Sequence, residues 1–340
     1  MFEPVLDRLR ADAQSHFGVP EVCLRPAGYE ERPFSFLLRV AVWNPRASCL
    51  AGHAFLKLFK PKDPSAGVDL HARVSRDFET VRAVYEYLSR WDDVGAVRPI
   101  ACYADLLAIV TEEAGGPTLL EYLESHAAWL PGAARMADLE ATMTASGRWL
   151  NRFHGFDARE GCVALGSLLD YVDVRLRRLV DHGAITGQYR NRIVSHLNRL
   201  AADIAPADLR EVAIHADLAP TNMLVCDTRI VVLDFAMAAR GSYLHDISRL
   251  FLQLDVLRAK PRYRPHVIDA LQAALLRGLD PALTAGHPLF RYLLMLHRIN
   301  HLGTLALRRE RFPASVLSAR VGRLHRQWIE RELAASEVSS

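Results

Sequence analysis

Cysteine is sparse and unordered in this chain: Cys23, Cys49, Cys102, Cys162 and Cys226 are odd in number, widely scattered and without a CxxC pair. A disulfide framework and a structural zinc site are both disfavoured by that arrangement. Long apolar runs are missing as well, and none approaches the ~18 to 20 residues needed to cross a bilayer, so no transmembrane segment is expected. The opening MFEPVLDRLRADAQ mixes acids and bases around no apolar core, so no secretory signal is read and a cytoplasmic protein is expected. Charge of one sign is missing too. Lys and Arg number 42 against 39 Asp and Glu, and the net +3 is too small to imply a nucleic-acid partner. No internal repeat or low-complexity tract interrupts the sequence. What remains is 340 residues, 50% of them hydrophobic, enough for two packed units.

The densest chemistry lies between Ile214 and Asp246. Met223–Cys226 and Ile230–Leu233 are short apolar, β-branched-rich runs flanking Asp227-Thr228-Arg229, the pattern of a hairpin. With Asp227 and Thr228 as the loop, Asn222 faces Leu233, and the open end of the hairpin gathers Asn222 and Asp234. Opposed residues in an antiparallel pair lie about 5 Å apart, so these two oxygen donors suit one hard cation, magnesium above all. Upstream, Glu211–His215 reads as another short strand and Pro220 blocks its continuation, leaving Asp217 in a loop. A carboxylate there takes the proton of an attacking hydroxyl. Such a role is worth roughly 10²- to 10⁴-fold in rate.

His215-Ala216-Asp217, Asn222 and Asp234-Phe235 resemble the HxDxxxxN loop and the later metal-binding aspartate of the aminoglycoside phosphotransferase and choline kinase family, which shares the protein-kinase fold. The resemblance implies Asp217 as catalytic base, Asn222 and Asp234 as magnesium ligands, and His215 as a brace of the loop. Asp246 matches a family aspartate that also braces it. Ala216 stands where the family commonly has glycine and Ala236 where the protein-kinase DFG triplet has one, and Ala236 makes a positive φ there less favourable.

The implied fold is α+β and two-lobed. Its N-terminal part, 1–112, has an antiparallel sheet and one long helix and binds nucleotide. The part from 113 to 340 is mainly helical and carries the catalytic hairpins and the acceptor. Phe34–Trp43 alternates as a half-buried strand and Ala54–Lys60 follows it. Lys57 shares a face with Phe55 and Phe59, and the resemblance makes it the phosphate-contacting lysine; Lys60 reads as an edge lysine. An amphipathic helix over Val68–Trp91 has Val74, Phe78, Val81, Tyr85 and Leu88 as its apolar stripe. The resemblance also implies a helix glutamate paired with Lys57, Glu79 first and Glu86 as the alternative. Leu106–Val110 is a buried-strand run leading into a polar segment, Thr111–Pro117; the resemblance makes this the hinge, where backbone groups around Glu112 and Glu113 would read adenine. Only Gly28 lies between Glu21 and Phe36, so a GxGxxG phosphate cover is absent. Ser35 either offers a hydroxyl to the phosphates or sits on the strand's wet face.

Further on, Met136–Phe153, Leu165–Asp181 and Arg190–Ala202 show helical spacing, and Ser242 is placed to cap a helix carrying Leu244, Ile247, Phe251 and Leu254. Only twelve residues separate Asp234 from Asp246. A protein kinase needs a longer segment there to seat a peptide, so a small-molecule hydroxyl acceptor is expected, with ATP, or GTP in its place, as donor. Between Arg291 and Arg331 nine arginines face two acids, Glu310 and Glu330. That excess leans away from a cationic aminoglycoside and toward an anionic or neutral sugar, a solvated helix face being the alternative. His297 and His301 have the spacing of paired metal ligands, but Arg298 occupies the glutamate position of HExxH. Surface or substrate-contacting histidines are expected instead. A catalytically silent binding module would show erosion of the base, the lysine or a metal ligand, and none is eroded.

Overall fold

The computed structural model describes residues 1–60, 69–227, 229–311 and 315–338. They divide into two compact units, Met1–Pro117 with Leu224–Met237, and Thr118–Met223 with Ala238–Ser340.

The first unit begins with α1 (Glu3–Ala11) and α2 (Ala13–Phe17), followed by β1 (Cys23–Arg32), β2 (Ser35–Asn44), β3 (Cys49–Phe59), α3 (Leu70–Leu88), β4 (Val94–Ala96), β5 (Pro99–Tyr103) and β6 (Ala108–Glu112). Its main sheet runs β1-β2-β3-β6-β5, antiparallel throughout. Period-two alternation sorts the side chains. Leu38, Val40, Val42, Ala54 and Leu56 pack with Val5, Leu6 and Leu9 of α1 on one face. On the other face Phe59 and Ile109 pack with Val74 of α3. Lys57, two residues from Phe59, shares that second face.

Helix α3 starts where Asp69 accepts hydrogen bonds from the amides of His71 and Ala72, at 3.0 and 3.1 Å. Val68, the expected start, lies outside the described residues. The expected hairpin is present as β8 (Met223–Cys226) and β9 (Arg229–Val232), Thr228 lying outside the described residues. Strand β9 runs parallel to β4, with Val94 opposite Ile230 and Ala96 opposite Val232. That ladder holds the hairpin to the first unit.

The second unit is mainly helical: α4 (Leu119–His126), α5 (Ala133–Phe153), α6 (Leu165–Asp181), α7 (Gly187–Ala202), α8 (His245–Leu257), α9 (Pro265–Leu279), α10 (Pro288–Arg311) and α11 (Val316–Val338). A two-stranded ribbon, β7 (Glu211–Ile214) against β10 (Ala239–Ser242), is inserted among them. Helix α6 has the expected bounds. Helix α7 begins three residues before Arg190 because Thr186 Oγ1 accepts from the Tyr189 amide at 3.1 Å. Ser242 caps no helix. It ends β10, and its hydroxyl accepts from the amide of Leu244, the residue that precedes α8. Among the described residues no helix is long and apolar enough to cross a membrane.

Candidate active site

The loop after β7 is a bridged turn. Asp246, fully buried in the first turn of α8, accepts from the His215 amide at 2.6 Å and from the Ala216 amide at 3.0 Å. Burial raises its pKa, but the hydrogen bonds and charges of His245 and His215 outweigh that effect and hold the carboxyl below its ordinary range. The buried His215 in turn accepts the Asp217 amide at Nδ1, 3.3 Å away. Asn222 donates its Nδ2 to the Asp217 carbonyl at 3.1 Å, leaving its amide oxygen without a hydrogen bond from the described residues. An asparagine anchored through nitrogen with its oxygen unclaimed fits a hard-cation ligand.

Ala216 pays for this geometry with a φ of +61°, a region that costs an L-residue about 1 to 2 kcal/mol. Ala216→Gly should relieve that strain and lose part of the gain to unfolded-chain entropy, leaving up to about 1 kcal/mol. Thermal denaturation should read it as a rise of about 1 to 3 °C. A lowered midpoint would show that the Ala216 methyl group matters more than the torsion.

In the first unit Lys57 Nζ lies 2.9 Å from Asp234 Oδ1 and 5.1 Å from the centre of the Phe59 ring. Asp234 is two residues beyond β9, with a φ of +63°. The positive φ therefore falls on the acid itself rather than at Ala236, which sits in a short 3₁₀ turn, Phe235–Met237. Lys60 is directed elsewhere, to Glu31 and the Arg32 carbonyl at 2.5 and 2.9 Å, where it supports the β1–β2 hairpin.

Glu79 does not meet Lys57. It is exposed and pairs with Arg82 one turn along α3, and Glu86 is exposed as well. The buried acid of α3 is Asp77, between Val74 and Val81 at helical spacing, with Arg73 Nε 4.0 Å from its Oδ2. Glu79 lies well round the helix from that stripe. Burial raises the Asp77 pKa; Arg73 and Lys57 oppose the shift and Asp234 adds to it. The sequence signal was available, since Asp77 falls at i+3 from Val74 and i−4 from Val81, but an acid within an apolar stripe was passed over for one beside it.

Because the folded state raises the Asp77 pKa, its ionisation costs stability as pH rises through that value. Asp77→Asn should therefore be at least as stable as the wild type at pH 8, with an advantage that shrinks as pH falls and is gone only at about pH 4, the ordinary aspartate range. Thermal denaturation at the two pH values checks this, and a variant less stable at pH 8 refutes it.

The remaining expected nucleotide contacts are differently employed. Ser35 is buried at the start of β2 and is not on a wet face. Glu112 pairs with Arg98 at 2.7 Å. Glu113 takes the Arg39 guanidinium at 2.9 Å, with His53 at 3.5 Å. Their amides donate to the carbonyls of Arg98 and His53 at 2.9 and 3.0 Å. The following Gly116 has φ +100° and passes so close to β8 that a Cβ would lie 2.2 Å from the Val225 carbonyl oxygen.

The carboxy-terminal arginines do not form one solvated face. Arg298 is buried, donating to Asp255 at 2.7 Å and stacking over Trp328 at 4.4 Å. Arg291 binds Glu332 at 2.7 Å. The side chains of Arg308, Arg309, Glu310 and Arg311 lie outside the described residues. His297 is buried rather than on the surface, its Nε2 3.1 Å from the His245 carbonyl oxygen, while His301 Nδ1 meets His325 Nε2 at 3.0 Å. The two are not directed at a common point. Among the described residues no group of three or more His, Cys, Asp and Glu is placed to hold a metal.

An antiparallel sheet with one long helix, a mainly helical remainder, and a braced loop carrying an aspartate define a phosphotransferase of the kinase-like architecture. The chain belongs to the phosphotransferase enzyme family, whose model matches residues 52–289. It is thus a phosphotransferase. Solved structures share the fold at low identity. A thermostable mutant of aminoglycoside phosphotransferase APH(4)-Ia, in ternary complex with ADP and hygromycin B, is 15% identical with a TM-score of 0.57, over 94% of this chain and 98% of that one. Macrolide 2'-phosphotransferase MphH from Brachybacterium faecium is 18% identical at 0.51, over 94% and 98%. Choline kinase LicA from Streptococcus pneumoniae is 13% identical at 0.52, over 97% and 99%. No protein of curated function matches the chain.

Proposed function

We propose that this enzyme transfers the γ-phosphoryl group of ATP to a hydroxyl of a small molecule, with Asp217 as catalytic base and Asn222 and Asp234 as magnesium ligands. The observation that carries the reading is the construction of the loop 215–222. Its backbone is held by Asp246, His215 and Asn222, while the Asp217 side chain stays half exposed, as a base that meets a substrate must be. When bound, magnesium would neutralise the β- and γ-phosphate oxygens. Lys57 secures the same phosphates, with Asp234 setting its position. Asp217 orients the acceptor hydroxyl and takes its proton. In this division of labour the first unit serves the nucleotide and the second the acceptor.

The interval between Asp234 and Asp246 supports a small acceptor. A 3₁₀ turn, strand β10 and the entry to α8 use up its residues, leaving no length to seat a peptide. Proteins sharing the fold include one bound to ADP and hygromycin B and one named a choline kinase, which agrees with a nucleotide donor and a non-peptide acceptor.

The test is ADP formation by the purified protein with magnesium and ATP, against pools of sugars, amino alcohols, amino acids and aminoglycosides, with thermal-shift titration of the nucleotide alongside. Stabilisation by magnesium-ATP and turnover in at least one pool are expected. A folded protein that magnesium-ATP does not stabilise rules the reading out. Stabilisation without turnover in any pool assigns the chain to the silent binding modules.

A further inference from the structure

We propose that Arg249 is a positioning residue that aims the catalytic base, an inference resting on the assignment of Asp217 above. Arg249 lies three residues after Asp246, on the same side of the first turns of α8. Its Nη2 donates to Asp217 Oδ1 at 2.5 Å, and its Nη1 lies 3.5 Å from the Ala216 carbonyl oxygen. Asp246 already holds the amides of His215 and Ala216. One stretch of helix therefore grips three consecutive loop residues, including the left-handed Ala216.

Stability does not account for this arginine. The pair is partly wet, with 31% of the Arg249 side chain and 50% of the Asp217 side chain exposed, so water and salt screen it and it adds little to stability. Against that, Arg249 Nε is buried and finds no partner among the described residues, which leaves a desolvated donor unsatisfied. The balance for folding is near zero or unfavourable. What the contact does provide is direction. Left alone, an aspartate samples several χ1 rotamers and a broad χ2. With Oδ1 held by the guanidinium, Oδ2, which takes no hydrogen bond from the described residues, is the oxygen left for the acceptor.

In the transfer step the acceptor O–H bond breaks and its proton goes to Asp217 Oδ2. The acceptor oxygen then bonds to the γ-phosphorus, while the bond from that phosphorus to the bridging oxygen breaks and its electron pair leaves with ADP. Asp217 returns its proton to solvent afterwards. Arg249 keeps its charge throughout and acts only through Asp217. Lysine supplies one point charge in place of a planar fork, so it can reach the carboxylate without also spanning to the Ala216 carbonyl.

The experiment measures ADP formation, with the best acceptor from the pools or with water in its place, for the wild type and for Arg249→Gln, Arg249→Lys, Arg249→Ala and Asp217→Asn. Arg249→Gln should lose about 10- to 100-fold in kcat, the scale of a misdirected catalytic group. Its KM for magnesium-ATP should stay within twofold and its melting temperature within about 2 °C. Arg249→Lys should recover part of the loss, and millimolar ethylguanidinium should restore part of the activity of Arg249→Ala. A kcat within threefold of wild type in Arg249→Gln overturns the proposal. So does a loss in which kcat, nucleotide KM and melting temperature move together with no recovery by lysine or ethylguanidinium, because that pattern is structural. Should Arg249→Gln fail to fold, Arg249→Lys and the ethylguanidinium rescue decide. If Arg249→Gln is normal while Asp217→Asn is inactive, only the role of Arg249 fails; if Asp217→Asn is itself active, the assignment of the base fails.

Discussion

Asp217→Asn should lower turnover by about 10²- to 10⁴-fold, or about 3 to 5 kcal/mol of barrier, and leave magnesium-ATP affinity within twofold. The substitution keeps the size of the side chain and the backbone bonds to His215 and Asn222, so the loop should persist. What disappears is a group able to accept a proton. Asp234→Asn should behave in the opposite way. It removes the partner of Lys57 and a proposed metal ligand together, so magnesium-ATP affinity should fall by an order of magnitude or more, with a much smaller effect on nucleotide binding without metal. Titration calorimetry with and without magnesium, beside steady-state kinetics, separates the two. Equal losses of nucleotide affinity in both variants would count against the assigned roles.

The parts legible in the sequence were those in which local pattern and tertiary role coincide. Strand β2 alternates because one face meets α1, and helix α6 shows its period because one stripe meets the core. The hairpin β8–β9 declared itself through two apolar runs and a turn. The brace from Asp246 to the loop carrying Asp217 was legible only through resemblance, since nothing local in an aspartate at the start of a helix says that it reaches two amides about thirty residues upstream. Arg249 was passed over for the same reason. Its partner is distant in sequence, and an arginine early in an amphipathic helix reads as solvated.

The errors share one physical origin. Glu79 was chosen over Glu86 by resemblance, and Asp77 was not weighed, although a buried acid is tolerated where a cation such as Arg73 lies close by. The carboxy-terminal arginines were summed as a field, yet Arg298 is a buried link between Asp255 and Trp328, and Arg291 is neutralised by Glu332 from beyond the counted window. Charge counts along a chain miss such pairing because helices α8, α10 and α11 bring together residues tens of positions apart. His297 and His301, four apart on one helix, diverge to different neighbours: one is packed against the His245 ring and the other against His325.

Those histidines lead to the second large effect, a loss of stability on mild acidification. Burial lowers the pKa of His154 and of His196 to about 4, with nearby arginines adding to the shift at His196; burial, Arg298 and His301 together lower that of His325 to about 2. His297 is lowered well below its ordinary value by the same cause. An unfolded histidine titrates near 6.5, so between that pH and the folded pKa the unfolded chain binds protons that the folded chain does not. Stability must then fall as pH drops through that window. At pH 5 each of the three histidines with an assigned value contributes a loss on the order of 2 kcal/mol, about 6 kcal/mol together. That is comparable to the entire stability of many domains, roughly 5 to 15 kcal/mol. All four lie in the second unit, so its helices should yield first. Urea or thermal unfolding followed by circular dichroism at pH 7 and pH 5 should show a large drop in midpoint. Replacing His325 by glutamine should flatten the pH dependence near pH 5 by about 1 kcal/mol per pH unit. Equal midpoints at the two pH values would mean that these imidazoles take up protons in the folded state as readily as in the unfolded one.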